Sequence, residues 1–301
     1  MRFSFVTCTY NRDKYLGQTL ESLCQQVYPK DSFELIIVDN NSTDETALVC
    51  KNVMGKYPDV NTYYVKEINQ GLSFALNRGI KKAKGEFILF VDDDETINPN
   101  HLEKLDCYLM EYPQIRLCGT QVVPIYETEK PKWLSHFTMR LITGHYDQGD
   151  KVKKLEAKNY PGTGHTIIKK ELYDIVGYYN TDLGRKGKGL MGAEDKDMFL
   201  RLIENNIECY YLPGIPIYHH IPANKLTDEF FNKLTYSIGK SERIRTKSVS
   251  NKMYRRRLFS EAVKWTASIV LFCGYTLALT PAKGIRLLKF RWNVSKGLLG
   301  K

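Results

Sequence analysis

The sequence predicts a doubly wound α/β fold built on a mostly parallel sheet, and three observations carry that prediction. Over the first 125 residues, short β-rich runs alternate with amphipathic stretches, the pattern of strand–helix–strand units. One run, residues 87–91, is apolar throughout, as suits a central strand buried on both faces. Three predicted strands end in polar clusters: Thr9-Tyr10-Asn11-Arg12, Asp39-Asn40-Asn41-Ser42 and Asp92-Asp93-Asp94. Open sheets of this kind bind ligands outside the carboxyl ends of their strands.

Each element has a local cause. Residues 3–9 and 35–39 are short, β-rich and bounded by turn residues. Residues 14–26 carry Leu16, Leu20 and Leu23 near helical spacing. Ser42 and Glu45 form a capping-box pattern that opens a helix running to residue 56. A third strand follows at 62–65 and a helix at 71–83, stopped by Gly85. Residues 99–111 read as a helix with Pro99 near its start, followed by a strand at 115–123. Residues 126–160 are irregular. A second, smaller αβ region has strands at 162–169 and 207–212 and helices at 170–176 and 193–205. Between these, residues 184–192 hold four glycines with Arg185, Lys186 and Lys188, the composition of a mobile loop.

The net charge of +10 is unevenly spread. Residues 240–301 hold 15 Lys/Arg against 2 Asp/Glu, a net +13, and the other 239 residues hold 29 against 32, a net −3. The basic character belongs to the tail, so the folded part is not read as a nucleic-acid binder. Residues 265–282 of this tail are 18 consecutive uncharged residues with basic residues on both sides, which suits an anionic membrane surface. The expectation is a C-terminal helical, membrane-associating tail, lying in or on the membrane, with the chain at its cytoplasmic, inner face. No leader segment is expected, because Met1-Arg2 runs straight into the first strand. Seven cysteines without a C-x-x-C pair argue against a zinc ribbon or thioredoxin-type site. Cys8, Cys50, Cys107, Cys118 and Cys209 lie in or beside apolar runs and read as reduced core residues.

Three adjacent carboxylates at a strand end repel one another unless a cation offsets them. Mg²⁺ or Mn²⁺ suits carboxylate oxygen and often bridges protein carboxylates to substrate phosphates. Asp39 also ends a strand, in reach of a nucleobase N–H. Asn11 and Arg12 lie beside the same predicted nucleotide site.

Taken in order, Thr7-Cys8-Thr9-Tyr10-Asn11-Arg12, Val38-Asp39-Asn40-Asn41-Ser42-Thr43-Asp44, Asn69-Gln70-Gly71 and Phe90-Val91-Asp92-Asp93-Asp94 resemble the signature of family 2 glycosyltransferases, which have the GT-A fold. The resemblance covers some 220 residues. It implies an inverting, metal-dependent transfer, of hexosyltransferase class, from a nucleotide-diphosphate sugar, UDP-sugar favoured. The membrane-facing tail suggests as acceptor a hydroxyl of a glycan or lipid-linked molecule, in cell-surface polysaccharide synthesis. The resemblance implies that residues 1–125 bind the nucleotide sugar, that 126–239 form the acceptor half, and that 240–301 are a tail. Thr7 and Asp39 would contact the base, with Tyr10, Asn11, Arg12, Asn69 and Gly71 around the donor. Asp92 would contact the ribose, Asp93 would add a dispensable donor contact, and Asp94 would hold Mn²⁺ or Mg²⁺. The family's usual Arg-Asn pair reads Asn77-Arg78 here, and one step along a helix turns a side chain by ~100°. Gly192-Ala193-Glu194-Asp195 resembles the family's Glu-Asp motif, which makes Asp195 the catalytic base. His219 is implied as a second metal ligand, His220 being the alternative.

A carboxylate base has a physical reason here, since a sugar hydroxyl is a poor nucleophile until its proton is taken. The nearest rival is a nucleotidyltransferase of similar fold, but residues 7–13 lack the Gly-rich loop it uses for triphosphate. A non-catalytic sugar- or nucleic-acid-binding protein at the membrane is the rival from another class.

Overall fold

The computed structural model describes residues 1–187 and 189–301, the side chain of Lys158 aside. In chain order the elements are β1 (Phe3–Thr9), α1 (Asp13–Cys24), β2 (Phe33–Asp39), α2 (Thr46–Lys56), β3 (Asn61–Lys66), α3 (Leu72–Lys82), β4 (Phe87–Phe90), β5 (Glu95–Ile97), α4 (His101–Glu111), β6 (Leu117–Tyr126), α5 (His136–Thr143), β7 (Lys153–Lys154), β8 (Thr166–Lys169), α6 (Leu172–Val176), α7 (Glu194–Glu204), β9 (Tyr210–Ile221), α8 (Asp228–Val249), α9 (Asn251–Leu277) and α10 (Pro281–Leu299). They form two compact units. One comprises residues 1–124, 145–182 and 194–220, the other residues 125–144, 183–193 and 221–301.

The first unit is organised by one sheet of order β3-β2-β1-β4-β8-β6-β9-β5, with β7 against β9. β1, β2, β3 and β4 pair in parallel, Phe3 facing Phe33 on one side and Phe87 on the other. Alternating side chains of these strands are buried on opposite faces. Phe3, Phe5, Leu35 and Ile37 join Leu16, Leu20, Leu102 and Leu105 in one core layer. Val6, Ile36, Val38, Ile88 and Phe90 join Leu76, Ile80, Leu172 and Met198 in the other. Burial on both faces explains why these strands are nearly continuous apolar runs.

The expectation of a mostly parallel sheet holds for this half alone. β8 runs antiparallel to β4 and β6, and β9 runs antiparallel to β5 and β7. A parallel return needs a crossover helix packed on the sheet, whereas the chain enters β8 through the short turn Thr163–His165. The fold is therefore an α/β fold with a mixed sheet. The capping box expected at Ser42 and Glu45 is also corrected. α2 starts at Thr46 with no side-chain cap from Glu45, and Ser42 Oγ instead accepts the Asn11 N–H at 3.0 Å.

The second unit is largely helical. Buried Glu242 accepts from Arg245 at 2.9 Å and Arg257 at 3.2 Å, and buried Glu261 accepts from Arg257 at 2.8 Å and Arg291 at 3.0 Å. This ladder joins α8, α9 and α10. Arg286 stacks 4.0 Å from the Trp133 ring centroid and pairs with Asp228. The second half of α9 and the turn after it leave apolar groups exposed, with Val270 at 66%, Leu277 at 86% and Leu279 at 89%. Among the described residues no helix is long and apolar enough to cross a membrane. Lys188, one of the basic residues of the loop expected at 184–192, lies outside the described residues. All seven cysteines are free thiols, and Cys107, expected in the core, is exposed.

Candidate active site

The site forms where β1, β2 and β4 end. After β1 the chain turns at Asn11, whose φ of 52° is left-handed. Asn is among the few residues that tolerate this. The Asn11 side chain accepts the Thr43 N–H at 2.8 Å, tying the turn after β1 to the turn after β2. Asp39 is 1% exposed. Its Oδ1 accepts the Ser42 N–H at 2.8 Å and its Oδ2 the Tyr64 hydroxyl at 2.5 Å. Thr7, fully buried on β1, keeps an Oγ1 without a hydrogen-bond partner among the described residues. Tyr10 is half-buried at the end of the same strand.

Asn40 was not singled out from the sequence, yet it builds the next turn. Its amide donates to the carbonyls of Glu67 and Asn69 at 3.1 and 2.7 Å, and its Oδ1 accepts the Gly71 N–H at 2.7 Å. Gly71 has a φ of 150°, a backbone that favours glycine. Asn69 is exposed, its amide donating to Glu67 at 2.8 Å. Two expected residues lie differently. Both ends of the Asn77 amide are spent on the Tyr179 backbone at 2.9 Å, and Arg78 is exposed on α3.

The three aspartates separate into three environments. Asp92 is exposed and its N–H donates to Glu95 at 3.0 Å. Asp93 is buried, its carboxylate 3.6 Å from Arg12 Nε. Burial raises its pKa to about 7, the charge of Arg12 opposing the rise and those of Asp94 and Asp92 adding to it. Asp93 and Asp94 are both withdrawn into the protein, and Asp92 alone of the three is exposed. Asp94 is 3% exposed. Its Oδ2 accepts from Arg12 Nη2 at 3.3 Å, and its Oδ1 lies 3.4 Å from His219 Nε2. Burial works against the charge of Arg12, but Asp93, Asp94 and Asp92 more than offset it and raise its pKa.

The pairing of β5 with β9 is what brings His219 in. Glu95 is registered against His219, and the N–H of His220 donates to the Asp94 carbonyl at 2.9 Å. Side chains alternate along a strand, so the next ring points elsewhere. His220 Nε2 lies 3.4 Å from Thr96 Oγ1, and it is His219 that reaches Asp94. Asp195 lies in the first turn of α7, preceded by Ala193 at a left-handed φ of 76°, and its Oδ1 accepts the Thr163 hydroxyl. Thr163 was also missed from the sequence. The Gly162-Thr163-Gly164 composition marks a turn, but nothing local says which carboxylate the turn will meet.

Over residues 4–175, more than half of its length, the chain matches the family described as Glycosyl transferase family 2. The chain belongs to that family. It is 28% identical over 210 residues to the glucosyl-dolichyl phosphate glucuronosyltransferase of Haloferax volcanii, covering 69% of this chain and 65% of that protein. It is 35% identical over 112 residues to the poly(ribitol-phosphate) beta-N-acetylglucosaminyltransferase TarS of Staphylococcus aureus, covering 37% of this chain and 19% of TarS. The chain thus spans under two thirds of the length of these relatives. The structure of the mannosyltransferase PcManGT from Pyrobaculum calidifontis, in complex with GDP-Man and Mn2+, is similar with a TM-score of 0.67 and 18% identity, covering 100% of this chain and 88% of that one. TarS residues 1-349 in complex with UDP-GlcNAc give 0.57 and 19%, with 100% and 93% covered. Likeness at such identity establishes the fold, which is of GT-A type.

Proposed function

We propose that this chain transfers a sugar from a nucleotide-diphosphate donor, UDP-sugar favoured, to a hydroxyl of a glycan or lipid-linked acceptor, with inversion. The observation that carries the proposal is the pairing of buried Asp94 with half-buried His219 beside Arg12, with Asp195 at the head of α7 in the same compact unit. Thr7, Tyr10, Asn11, Asp39 and the Asn69–Gly71 turn keep their proposed place around the nucleotide, with Asp92 toward the ribose.

One carboxylate oxygen and one imidazole nitrogen fit a divalent ion such as Mn²⁺ or Mg²⁺. No group of three or more His, Cys, Asp or Glu among the described residues forms a closed metal cage. Ions of this kind are commonly completed by substrate phosphates and water, so Asp94 and His219 would hold it. When bound, it supplies positive charge against the departing nucleoside diphosphate. Asp195 takes the proton of the acceptor hydroxyl as that oxygen attacks the anomeric carbon. A single displacement inverts that carbon.

The membrane part of the proposal concerns residues 240–301. The side chains of Val270 and Leu277 on α9 and of Leu279 in the turn after it are exposed, as are Arg255 and Arg256 earlier on α9 and Lys296 on α10. This composition suits a helix lying in the interface of an anionic membrane rather than crossing it.

The test is incubation with UDP-, GDP- and dTDP-sugars with and without Mn²⁺. Release of nucleoside diphosphate supports the proposal, and pyrophosphate would point to nucleotidyl transfer. Asp195→Asn and Asp94→Ala should each reduce turnover by about 100-fold or more, while Asp93→Ala should affect stability more than turnover. Full activity in Asp195→Asn would refute the proposed base.

A further inference from the structure

The turn between residues 161 and 166 touches carboxylates at both ends of the candidate site. It is clamped from behind by His165, which is 6% exposed. The Gly162 N–H donates to His165 Nε2 at 2.7 Å. An N–H can only donate, so the ring proton sits on Nδ1, which donates to the Thr120 carbonyl at 3.1 Å. The Tyr146 ring packs against this imidazole with centroids 4.8 Å apart, and the Thr166 hydroxyl donates to the Gly162 carbonyl at 2.7 Å. These bonds leave the turn little freedom.

Its forward side has two points of contact. At Gly164 an added Cβ would come within 2.7 Å of the Asp92 carboxyl, so only glycine lets the backbone come this close. At Thr163, 8% exposed, the hydroxyl donates to Asp195 Oδ1. A hydrogen bond at Oδ1 restricts the rotation of the carboxylate, and with it the direction of the lone pairs on Oδ2.

From this geometry we infer that Thr163 is a positioning residue, acting through Asp195 to aim the oxygen that receives the acceptor's proton. The inference rests on the reading of Asp195 as the base. A misaimed base loses proton transfer in the transition state while leaving donor binding intact. The loss should therefore fall on kcat and not on the KM for donor.

The experiment measures UDP release from UDP-glucose and UDP-GlcNAc with Mn²⁺, for wild type, Thr163→Val, Thr163→Ser, Asp195→Asn and the double variant Thr163→Val/Asp195→Asn. Thr163→Val should lower kcat by about 10- to 100-fold with donor KM within about twofold. Thr163→Ser, which keeps the hydroxyl, should recover most of the rate. The double variant should be no slower than Asp195→Asn alone, because a residue acting through another adds nothing once that other is gone. Wild-type kcat in Thr163→Val, equal losses in the Val and Ser variants, or additive losses in the double variant would each overturn the inference. If Thr163→Val does not fold, Thr163→Ala removes the same hydroxyl and the same comparisons apply. Undiminished turnover in Asp195→Asn would instead remove the base itself, an outcome distinct from failure of the Thr163 variants alone.

Discussion

At the scale of single residues, burial decides which side chains carry chemistry and which hold the frame. His101 illustrates the second kind. It is 2% exposed at the start of α4, and burial lowers its pKa to about 4, Lys104 lowering it further and a bond to the Pro216 carbonyl opposing. In the unfolded chain a histidine titrates near ~6.5. The unfolded state therefore binds the proton first, so the neutral ring's contribution is whole above about pH 6.5 and is lost as pH falls toward 4. That difference is worth on the order of 3 kcal/mol. Urea titrations of wild type and His101→Gln at steps between pH 7 and pH 4 test it. The variant should show a shallower loss of stability, and equal slopes would sink the assignment.

Residue identity made part of the site legible and hid the rest. Asp94, Asp195 and His219 are named on the resemblance, and the structure brings Asp94 and His219 within 3.4 Å and sets Asp195 in the first turn of α7, while their roles rest on the proposal. The burial of Asp93 and Asp94 beside an exposed Asp92 was not readable, because only the backbone after β4 determines which carboxyls turn inward. Asn77 likewise looked like a donor contact, but its amide is satisfied by the Tyr179 backbone, far away in sequence.

At the scale of elements, local pattern recovered β1 to its ends and α1 and α3 to within two residues, whereas α2 ends at Lys56 as expected but starts at Thr46, later than the Ser42 cap implied. Each of these buries a face that its own sequence encodes. The antiparallel strands were less accessible. β5 has three residues and exists because Ile217–His219 lies beside it, a partner no window along the chain contains. The helices of the second unit depend on a different non-local feature, the charge ladder through Glu261. Removing one member of a buried ion pair strands the others, at a cost of about 3–5 kcal/mol. Glu261→Ala should therefore lower the melting temperature clearly, although alanine is the better helix former. A change within about 0.5 kcal/mol would mean that the arginines it faces find water.

For the whole molecule, the basic charge of the tail divides: Arg245, Arg286 and Arg291 are buried against partners, and Arg255, Arg256, Lys289 and Lys296 are exposed. The exposed ones accompany an apolar stretch of α9 that the second unit does not cover. On the membrane reading, vesicles containing phosphatidylglycerol should sediment the protein, and phosphatidylcholine alone should not. Leu277→Asp with Leu279→Asp should reduce recovery in the pellet by about tenfold. Unchanged sedimentation would assign this face to another occupant, a second copy of the chain being one.

The β5–β9 pairing also governs when the site can exist. A chain emerging from the ribosome has Asp94 early, and its four parallel strands follow one another closely enough to begin assembling during synthesis. His219 leaves the exit tunnel much later, and until it does Asp94 has only Arg12 beside it from the pair of groups that flank it in the finished protein. On the proposed reading, a stalled or prematurely terminated chain would carry Asp94 without His219, and the order of strands would leave such copies unable to assemble the site.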